Sequence, residues 1–287
     1  MSFRDDIIDK IARKQDLPPL PDIAVKLSKM IADGNASAND ISKIVQFDPA
    51  LAGRVLRVAN SASQGTNTRV GSIPQAVTRI GFKRLKDIVL SLTFMQAFDR
   101  KKISLDHRRF WKHSLSVAFA SQAIEKLGSK TLGASDNSFS AGLLHDLGVL
   151  LLYLYADETY RQVIAYALSE NKELHEAEQS ILGIDHAEAG ALLFDQWNLP
   201  VPVWEAARYH HNPYPPELST DVLTKVVHLA NFACNNQGLD NGVEVFPSSF
   251  SSSAWYDVGL SVDDIPQIIA EVNRLTTEAD EIIAAAY

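Results

Sequence analysis

FSAGLLHDLGVLLLYLY, residues 139–155, is the stretch that most restricts the fold of this chain. It is apolar almost all round, which is typical of a helix buried at the centre of a helical bundle. His145 and Asp146 lie in its middle. A buried carboxylate costs several kcal/mol unless it is paired or bound to a metal. We therefore expect Asp146 to contact a metal ion, a histidinium or the end of a neighbouring helix.

Further histidines lie on segments that are predicted to be separate helices. One follows the aromatic pair in HRRFWKHSLSV, one begins HAEAGALLFDQW, and a pair ends VWEAARYHH. Borderline divalent ions bind neutral imidazole nitrogen and carboxylate oxygen. A carboxylate can also bridge two ions that activate water and bind a phosphoryl oxygen. The candidate metal ligands are His113, His145, Asp146, His186, His210 and His211.

Each of these histidines taken alone is a weak indication, because an isolated helical histidine is more often a structural residue than a ligand. The alternative that needs no ion is a hydrogen-bonded polar network in the core. His107, His175 and His228 have no comparable sequence context. We expect these three on the surface or in packing contacts.

The rest of the chain also predicts helices, because period-two alternation is absent and Ala, Leu, Ile, Lys and Glu dominate the segment interiors. The predicted fold class is all-α. The polar run DRKKISLD indicates a soft boundary near residue 103. We expect an N-terminal helical subdomain over 1–103, a helical bundle over 104–235, and a loop with a C-terminal helix over 236–287 that packs on the bundle.

Two local patterns in the second half make specific predictions. Asp185 precedes the helix that begins at His186, and Glu188 three residues later completes a capping-box pattern. Residues 236–262 are rich in glycine and serine and predict a surface loop.

Composition and charge exclude several classes of protein. Apolar residues make up 46% of the chain and charged residues 22%, as in ordinary globular proteins. No stretch reaches the uninterrupted apolar length of a membrane span, and the acid-containing N-terminal residues do not resemble a secretory signal. The lone Cys234 excludes an internal disulfide and fits a reducing cytoplasm, where we expect it to be a small buried hydrophobe.

The net charge of −8 and the pI near 5.5 argue against a nucleic-acid partner, which usually binds a basic surface. Basic residues do cluster in the first half of the chain, where we expect the solvated faces of amphipathic helices; a phosphate- or acid-binding surface is the alternative. The cluster consists of Arg54, Arg57, Arg79, Lys83, Arg84 and Lys86.

The order of the candidate ligands resembles the HD-superfamily phosphohydrolases, especially the HD-GYP branch. Segments of the first half, LPPLPDIAVKL (17–27), DPALAGRVLRVANSA (48–62) and SIPQAVTRIGFKRLKDIVLSL (72–92), look like the HDOD domain, a bacterial signalling relative of that branch. HAEAGALLFDQWNLP (186–200) and ARYHH (207–211) resemble the close of the domain. The resemblance covers about residues 12–235 and implies an N-terminal helical subdomain packed on an HD-like bundle.

The chain departs from the HD-GYP pattern at three places. Val149 stands where those enzymes have a lysine, and Asn212–Pro213–Tyr214–Pro215 replaces their Gly-Tyr-Pro loop. Asn231 aligns with their last metal-ligand aspartate, and an amide is a poorer ligand than a carboxylate. The resemblance assigns one ion to His113, His145 and that missing aspartate, the other to His186, His210 and His211, and makes Asp146 the bridge between them.

HDOD domains are generally regarded as non-catalytic signalling modules. The resemblance therefore implies a bacterial cytoplasmic signal-transduction protein that acts through a protein partner or a nucleotide-type ligand. One divalent ion, iron, manganese or similar, would bind Asp146, His186, His210 and His211. The alternative is a metal-dependent phosphohydrolase or phosphodiesterase, in which Asp146 would be the catalytic residue.

Overall fold

The computed structural model confirms the all-α prediction: every extended regular element in the residues that it describes is a helix, and no β-strand occurs among them. The structure describes residues 2–13, 17, 19–32, 38–61, 69–98, 103–128, 137–215, 222–244, 246 and 249–287. The helices are α1 (Phe3–Ala12), α2 (Asp22–Ala32), α3 (Ala38–Gln46), α4 (Pro49–Ala59), α5 (Ile73–Ile80), α6 (Phe82–Ala97), α7 (His107–Gly128), α8 (Ser138–Leu144), α9 (Leu147–Glu170), α10 (Leu174–Leu182), α11 (His186–Gln196), α12 (Val201–Tyr209), α13 (Val222–Asn236), α14 (Ser252–Asp257) and α15 (Ile265–Ala286), with a 3-10 turn over Val262–Asp264.

The His145–Asp146 doublet does not lie in the middle of one helix, as its sequence suggested. Helix α8 ends at Leu144, and α9 begins at Leu147. Asp146 has φ −98° and ψ 7°, outside the helical range, and is the N-cap residue of α9. The apolar pattern did not predict this break because the residues on both sides of it are buried.

Two glycines flank the doublet and allow neighbouring helices to approach it closely. A Cβ atom at Gly142 would lie 2.7 Å from the Cα of Ala118 on α7. A Cβ atom at Gly148 would lie 1.9 Å from the carbonyl oxygen of His186 on α11. Only a residue without a Cβ atom fits at such distances. The two glycines therefore bring the helices that carry His113 and His186 against the doublet.

The chain divides into two compact units that differ from the contiguous ranges suggested by the sequence. The first consists of Met1–Leu17 and Asp99–Leu275, and the second of Pro18–Phe98 and Thr276–Tyr287. Helix α1 belongs with the first unit, where Arg4 forms an ion pair of 2.7 Å with Glu188 on α11. A distant segment can join a unit through such a contact, which sequence order does not reveal.

In the first unit, α7 packs on α8 and α13, while α9 packs on α10 and α11. Asp185 caps α11 as predicted, because its side chain accepts a hydrogen bond of 2.7 Å from the backbone N–H of Glu188. The Glu188 side chain does not complete the capping box. It forms ion pairs with Arg4 and with Arg208 instead.

In the second unit, α4 packs on α5 and α6, and α2 packs on α6. Several of the clustered basic residues have partners inside this unit. Arg54 donates to Gln96, Arg57 donates to the carbonyl oxygen of Ala284, and Arg84 forms an ion pair with Glu278. These contacts support a structural role for these three arginines.

Helices α8 and α9 together, Ser138–Glu170, are long and apolar enough to cross a membrane by length and composition alone. Their most apolar window is 83% buried inside the protein, however. A helix that is apolar all round is buried, either in the core of a protein or in a membrane, and burial by other helices of the protein indicates the core. We therefore interpret the stretch as the central part of the first unit.

Candidate functional site

All six predicted site residues lie together in the first unit, with the Asp146 carboxylate at their centre. The Asp146 Oδ1 atom lies 3.2 Å from His145 Nε2 and 3.4 Å from the Nε2 atoms of both His186 and His210. The Oδ2 atom lies 3.3 Å from His113 Nε2. His211 joins through His186, since their Nε2 atoms are 2.8 Å apart. We call this set the inner cluster.

The backbone orients three of the imidazole rings. In each of them Nδ1 lies within hydrogen-bond distance of a carbonyl oxygen, so that Nε2 faces Asp146. The pairs are His113 Nδ1 with Leu239 O at 2.5 Å, His145 Nδ1 with Gly142 O at 2.8 Å, and His210 Nδ1 with Ala207 O at 2.7 Å. A carbonyl oxygen can only accept, so each Nδ1 carries the proton. In a neutral ring, Nε2 then presents a lone pair to the centre of the cluster.

Glu178 on α10 orients the fourth ring. Its Oε2 atom accepts hydrogen bonds from His186 Nδ1 at 2.6 Å and from the His186 backbone N–H at 2.8 Å. Its Oε1 atom accepts one from the hydroxyl of Tyr160. A carboxylate behind a ligating histidine increases the basicity of the ring and fixes its tautomer. We did not predict this residue, because the sequence EAEQSILG shows only a helix with several acids.

The inner cluster fits a cation. The Nε2 atoms of His113 and His145 are 3.3 Å apart. Because both rings carry their proton on Nδ1, the two Nε2 lone pairs would point at each other if the rings were neutral. Asp146 Oδ1 has no hydrogen-bond partner among the described residues, although it is fully buried. Buried acceptors that converge in this way need either protons or a metal ion. The donor set of imidazoles and one carboxylate suits a borderline divalent ion.

The pKa shifts of Asp146 and His186 also indicate that the inner cluster favours a cation. Burial opposes ionisation of Asp146, but the neighbouring rings of His145, His113 and His186 outweigh it and hold the pKa of Asp146 well below its usual range. Burial likewise opposes protonation of His186, but Glu178 and Asp146 hold the pKa of that imidazole well above its usual range. The cluster therefore stabilises positive charge beside Asp146.

His210 and His211 have the opposite tendency. Burial lowers the pKa of His210 to about 4 and, together with neighbouring histidines, lowers that of His211 well below its usual range. Both rings are neutral at pH 7. Neutral imidazole is the form that binds metal ions.

The predicted surface loop after α13 is only partly at the surface. Asn241 is fully buried and donates a hydrogen bond of 2.8 Å to Asp146 Oδ2. Its Oδ1 atom accepts hydrogen bonds from the backbone N–H groups of Val243 and Glu244, which fixes the loop in this position. The glycine- and serine-rich composition concealed this contact. The loop also contains α14, which the sequence did not indicate.

Asn231, which aligns with a ligand aspartate in the HD-GYP pattern, is buried on α13. Its Oδ1 atom accepts a hydrogen bond of 3.1 Å from Asn235, which also donates to Glu244. In the altered proline loop, the Tyr214 hydroxyl donates to Asp257 at 2.7 Å. Asn231 and Tyr214, two residues at which the chain differs from the HD-GYP pattern, thus have hydrogen-bond partners within the protein.

Two of the histidines expected in surface or packing roles contact the inner cluster. His228 is buried, and its Nδ1 atom donates to the carbonyl oxygen of His210 at 2.7 Å. The ring of His175 stacks on the ring of His211, with 4.2 Å between centroids and 17° between planes. Neither position has a sequence pattern that distinguishes it from an ordinary helical histidine.

A separate cavity of about 390 Å³ lies among α7, α13, α14 and α15. Its lining is mostly apolar and includes Leu229, Phe232, Trp255 and Ile268. No charged side chain occurs among the described residues that line it. The described lining of this cavity therefore offers no charged group for metal binding or acid–base chemistry, and we take the inner cluster as the candidate site.

Comparison with protein families gives a match to the HDOD domain over residues 17–213, which is more than half of the chain. Among curated proteins, an uncharacterized protein of Treponema pallidum (strain Nichols) is 28% identical over 245 residues. That similarity covers 84% of this chain and 46% of the relative. The chain thus spans about half the length of the curated relative it matches.

Three solved structures illustrate the shared fold. An HDOD domain protein of unknown function from Geobacter sulfurreducens has 23% identity and a TM-score of 0.80, covering 99% of this chain and 97% of that one. A protein from Marinobacter aquaeolei VT8, named for signal transduction, has 23% identity and a TM-score of 0.79, covering 100% and 61%. One from Shewanella amazonensis SB2B, named a phosphohydrolase, has 24% identity and a TM-score of 0.73, covering 98% of each chain. Identities in this range show the fold alone.

Proposed function

The chain belongs to the HDOD family, and on this premise we propose that it is a regulatory signalling module that acts by binding a protein or a ligand, without turnover. A divalent ion bound to the inner cluster would stabilise the fold. The observation that carries this proposal is burial: His113, His145, Asp146, His186 and His210 are each 0–1% exposed. Structural metal sites are closed in this way, whereas catalytic sites keep a position open to substrate.

The ligand set that we propose is Asp146 Oδ1 with His186, His210 and His211. His145 Nε2 lies on the same side of the carboxylate, 3.2 Å from Oδ1. Iron, manganese or a similar ion would supply positive charge and Lewis acidity at this position. The residues of the chain supply the orientation, since Glu178 and Ala207 O hold the rings of His186 and His210.

The surroundings of Asp146 Oδ2 support a non-catalytic role. Oδ2 already accepts a hydrogen bond from the Asn241 amide, which leaves less of its coordination capacity for a second ion. The aspartate that would complete a second site is replaced by Asn231. A two-ion mechanism needs ligands on both sides of the bridging carboxylate, and amides are poor substitutes for a carboxylate there.

A metal-dependent phosphohydrolase or phosphodiesterase is the second candidate function. The observation that favours it is the partial exposure of His211, which gives one edge of the cluster access to solvent. A relative of the same fold is also named a phosphohydrolase. In this alternative, Asp146 would be the catalytic residue that holds the ion beside the substrate.

The name of the Marinobacter relative supports a signalling partner, and a nucleotide-type ligand is a further candidate. We propose a bacterial cytoplasmic protein. The single Cys234 supports a reducing compartment: it is fully buried, and burial raises the pKa of its thiol.

Metal content, thermal stability and turnover together test the proposal. We expect the purified chain to contain about one equivalent of a divalent ion, Asp146→Asn to lose it, and the exposed control Asp195→Asn to keep it. Removing the ion should lower the melting temperature. Against bis(p-nitrophenyl) phosphate and cyclic dinucleotides, we expect no metal-dependent hydrolysis. Turnover that disappears in both His145→Ala and Asp146→Ala would refute the non-catalytic role in favour of the hydrolase.

A further inference from the structure

We propose that Glu173, His175 and His211 form a second, outer binding site for a borderline divalent cation such as Zn²⁺. One carboxylate oxygen of Glu173 and one ring nitrogen of each histidine lie within 4.8 Å of one another. Glu173 and His175 are not among the residues of the inner cluster, and they come from the connection between α9 and α10 and the start of α10. Only His211 is shared by the two groups.

The spacing within the outer site fits two ligands of one ion better than a hydrogen bond. His175 Nδ1 and Glu173 Oε2 are 3.5 Å apart. Two donor atoms bound at about 2.1 Å to one tetrahedral ion lie about 3.4 Å from each other. Both His175 Nδ1 and His211 Nδ1 are buried, and neither has a hydrogen-bond partner within the described part of the chain. These ring nitrogens are therefore polar atoms whose bonding capacity a cation would satisfy.

Neighbouring groups hold the ligands in place. Ser249 donates a hydrogen bond of 2.5 Å to Glu173 Oε1, and the Glu173 backbone N–H donates to Glu176, so Oε2 is the carboxylate oxygen directed to His175. The His175 ring stacks on His211. Ligands held in this way lose little conformational freedom on binding an ion.

The chemistry of the site selects a cation over an anion. The Nδ1 atoms of His175 and His211 are buried without a hydrogen-bond partner in the described part of the chain, and in a neutral ring each can present a lone pair to a cation. The Glu173 carboxylate repels phosphate and other anions. Two imidazoles and one carboxylate also match the ligand set of known zinc sites with an open position.

Exposure distinguishes the outer site from the inner cluster. The side chains of His175 and Glu173 are 27% and 20% exposed, whereas the core of the inner cluster is closed to solvent. An ion at the outer site would exchange with solvent, and an inner ion would be retained on purification. Because His211 belongs to both groups, an ion at one site would change the affinity of the other.

The test is a Zn²⁺ titration of the full chain by isothermal titration calorimetry, with the retained metal measured separately by elemental analysis. We expect a titratable Zn²⁺ equivalent in addition to any retained ion. Loss of a second-shell ligand partner costs about 10- to 100-fold in affinity, so loss of a direct ligand in Glu173→Gln or His175→Gln should weaken this equivalent by at least about tenfold. Glu170→Gln, an exposed glutamate nearby in sequence, is the matched control.

Two outcomes would overturn the outer site: no titratable equivalent in the wild-type chain, or an unchanged equivalent in the Glu173→Gln/His175→Gln double variant. Thermal unfolding verifies that each variant folds. The result is independent of the proposed function, because the inner ion is tested by Asp146→Asn and by retained metal. An outer site can fail while the inner one is present, and the reverse also holds.

Discussion

The two sides of the Asp146 carboxylate differ in the charge of the groups that support them. On the Oδ2 side stand His113 and the neutral amide of Asn241, which donates its hydrogen bond to that oxygen. On the Oδ1 side stand the Nε2 atoms of His186 and His210, with the carboxylate of Glu178 behind His186. The Oδ1 side has the additional negative charge of Glu178, whereas the Oδ2 side has a neutral amide. We therefore expect positive charge to be stabilised on the Oδ1 side.

The chain keeps the histidines that the HD-GYP resemblance assigns to metal ligands, but Asn231 aligns with the last ligand aspartate of that pattern. The amide that donates to Asp146 Oδ2 belongs to a different residue, Asn241, and it satisfies this buried oxygen without adding a negative charge. His113 on the Oδ2 side is fully buried and its Nδ1 atom donates to the carbonyl oxygen of Leu239. In the proposed function the ion would bind on the Oδ1 side, whereas Oδ2 already accepts the hydrogen bond from Asn241.

The largest effect is expected from Asn241→Asp, which makes the two sides alike in charge. The new carboxylate would keep acceptors for the backbone N–H groups of Val243 and Glu244 but face Asp146 without a donor. An uncompensated buried charge costs about 3 kcal/mol or more. We expect the variant to be destabilised by that amount in EDTA and to recover stability, with a second bound ion, in Mn²⁺.

Denaturant unfolding with and without Mn²⁺ measures this change. Asn236→Asp, an exposed asparagine of α13, is the control and should change stability little. If Asn241→Asp and the wild type were equally stable in EDTA, the Asn241 amide would not be the cause of the charge difference between the Oδ1 and Oδ2 sides of Asp146.

The next effect is expected from Gly148→Ala, which separates α9 from α11 on the Oδ1 side. The added Cβ would lie 1.9 Å from the carbonyl oxygen of His186, so the backbone must shift. Overpacking of this kind costs about 1–3 kcal/mol and sometimes more, and we expect the upper end together with weaker metal binding. Urea unfolding and metal titration measure the two quantities.

Gly53→Ala is the matched control, because nothing lies within 4 Å of a Cβ atom at that helical position. It should stabilise the protein by up to about 1 kcal/mol, since alanine favours helix. If Gly148→Ala behaved like Gly53→Ala, the close approach of the two helices would not be needed for the site.

Glu178→Gln tests the carboxylate behind His186. The substitution keeps the shape of the side chain but removes the charge that raises the basicity of the ring. Second-shell substitutions lower metal affinity by about 10- to 100-fold, and we expect a loss in this range by competition with a chelator. Glu170→Gln should leave the affinity unchanged; an unchanged affinity in Glu178→Gln as well would contradict the role of Glu178.

Tyr160→Phe is expected to have the smallest effect of the four. Its hydroxyl donates to Glu178 Oε1, and a hydrogen bond to a charged group contributes about 1.5 kcal/mol. The free energy of unfolding should fall by about that amount, measured by urea denaturation. Tyr166→Phe on the same helix is the control, and an equal loss in both variants would indicate a general effect of removing hydroxyl groups from α9.

Local signals in the sequence were sufficient for the helical class and for several helix starts. Asp48 with Pro49, Ser72 and Asp185 cap helices as their residue types predict, because a cap depends only on neighbouring residues. The prediction of one continuous helix through His145–Asp146 was wrong, because the residues on both sides of the break are apolar and buried. The partner of Glu188 was also wrong, because Arg4 lies far away in the chain.

The candidate residues could be identified from the sequence, because a carboxylate in an apolar helix needs a partner and the order of the five histidines resembles the HD-GYP pattern. Glu178, Asn241 and His175 could not, because nothing in their neighbouring residues differs from an ordinary helix or loop. Their roles arise from contacts between segments far apart in the chain, such as Asn241 with Asp146. Asp146 Oδ2 accepts a hydrogen bond from an amide, and Oδ1 faces the rings of His186 and His210. Only the packing of the helices and the loop decides this arrangement, and it cannot be predicted from the residue types.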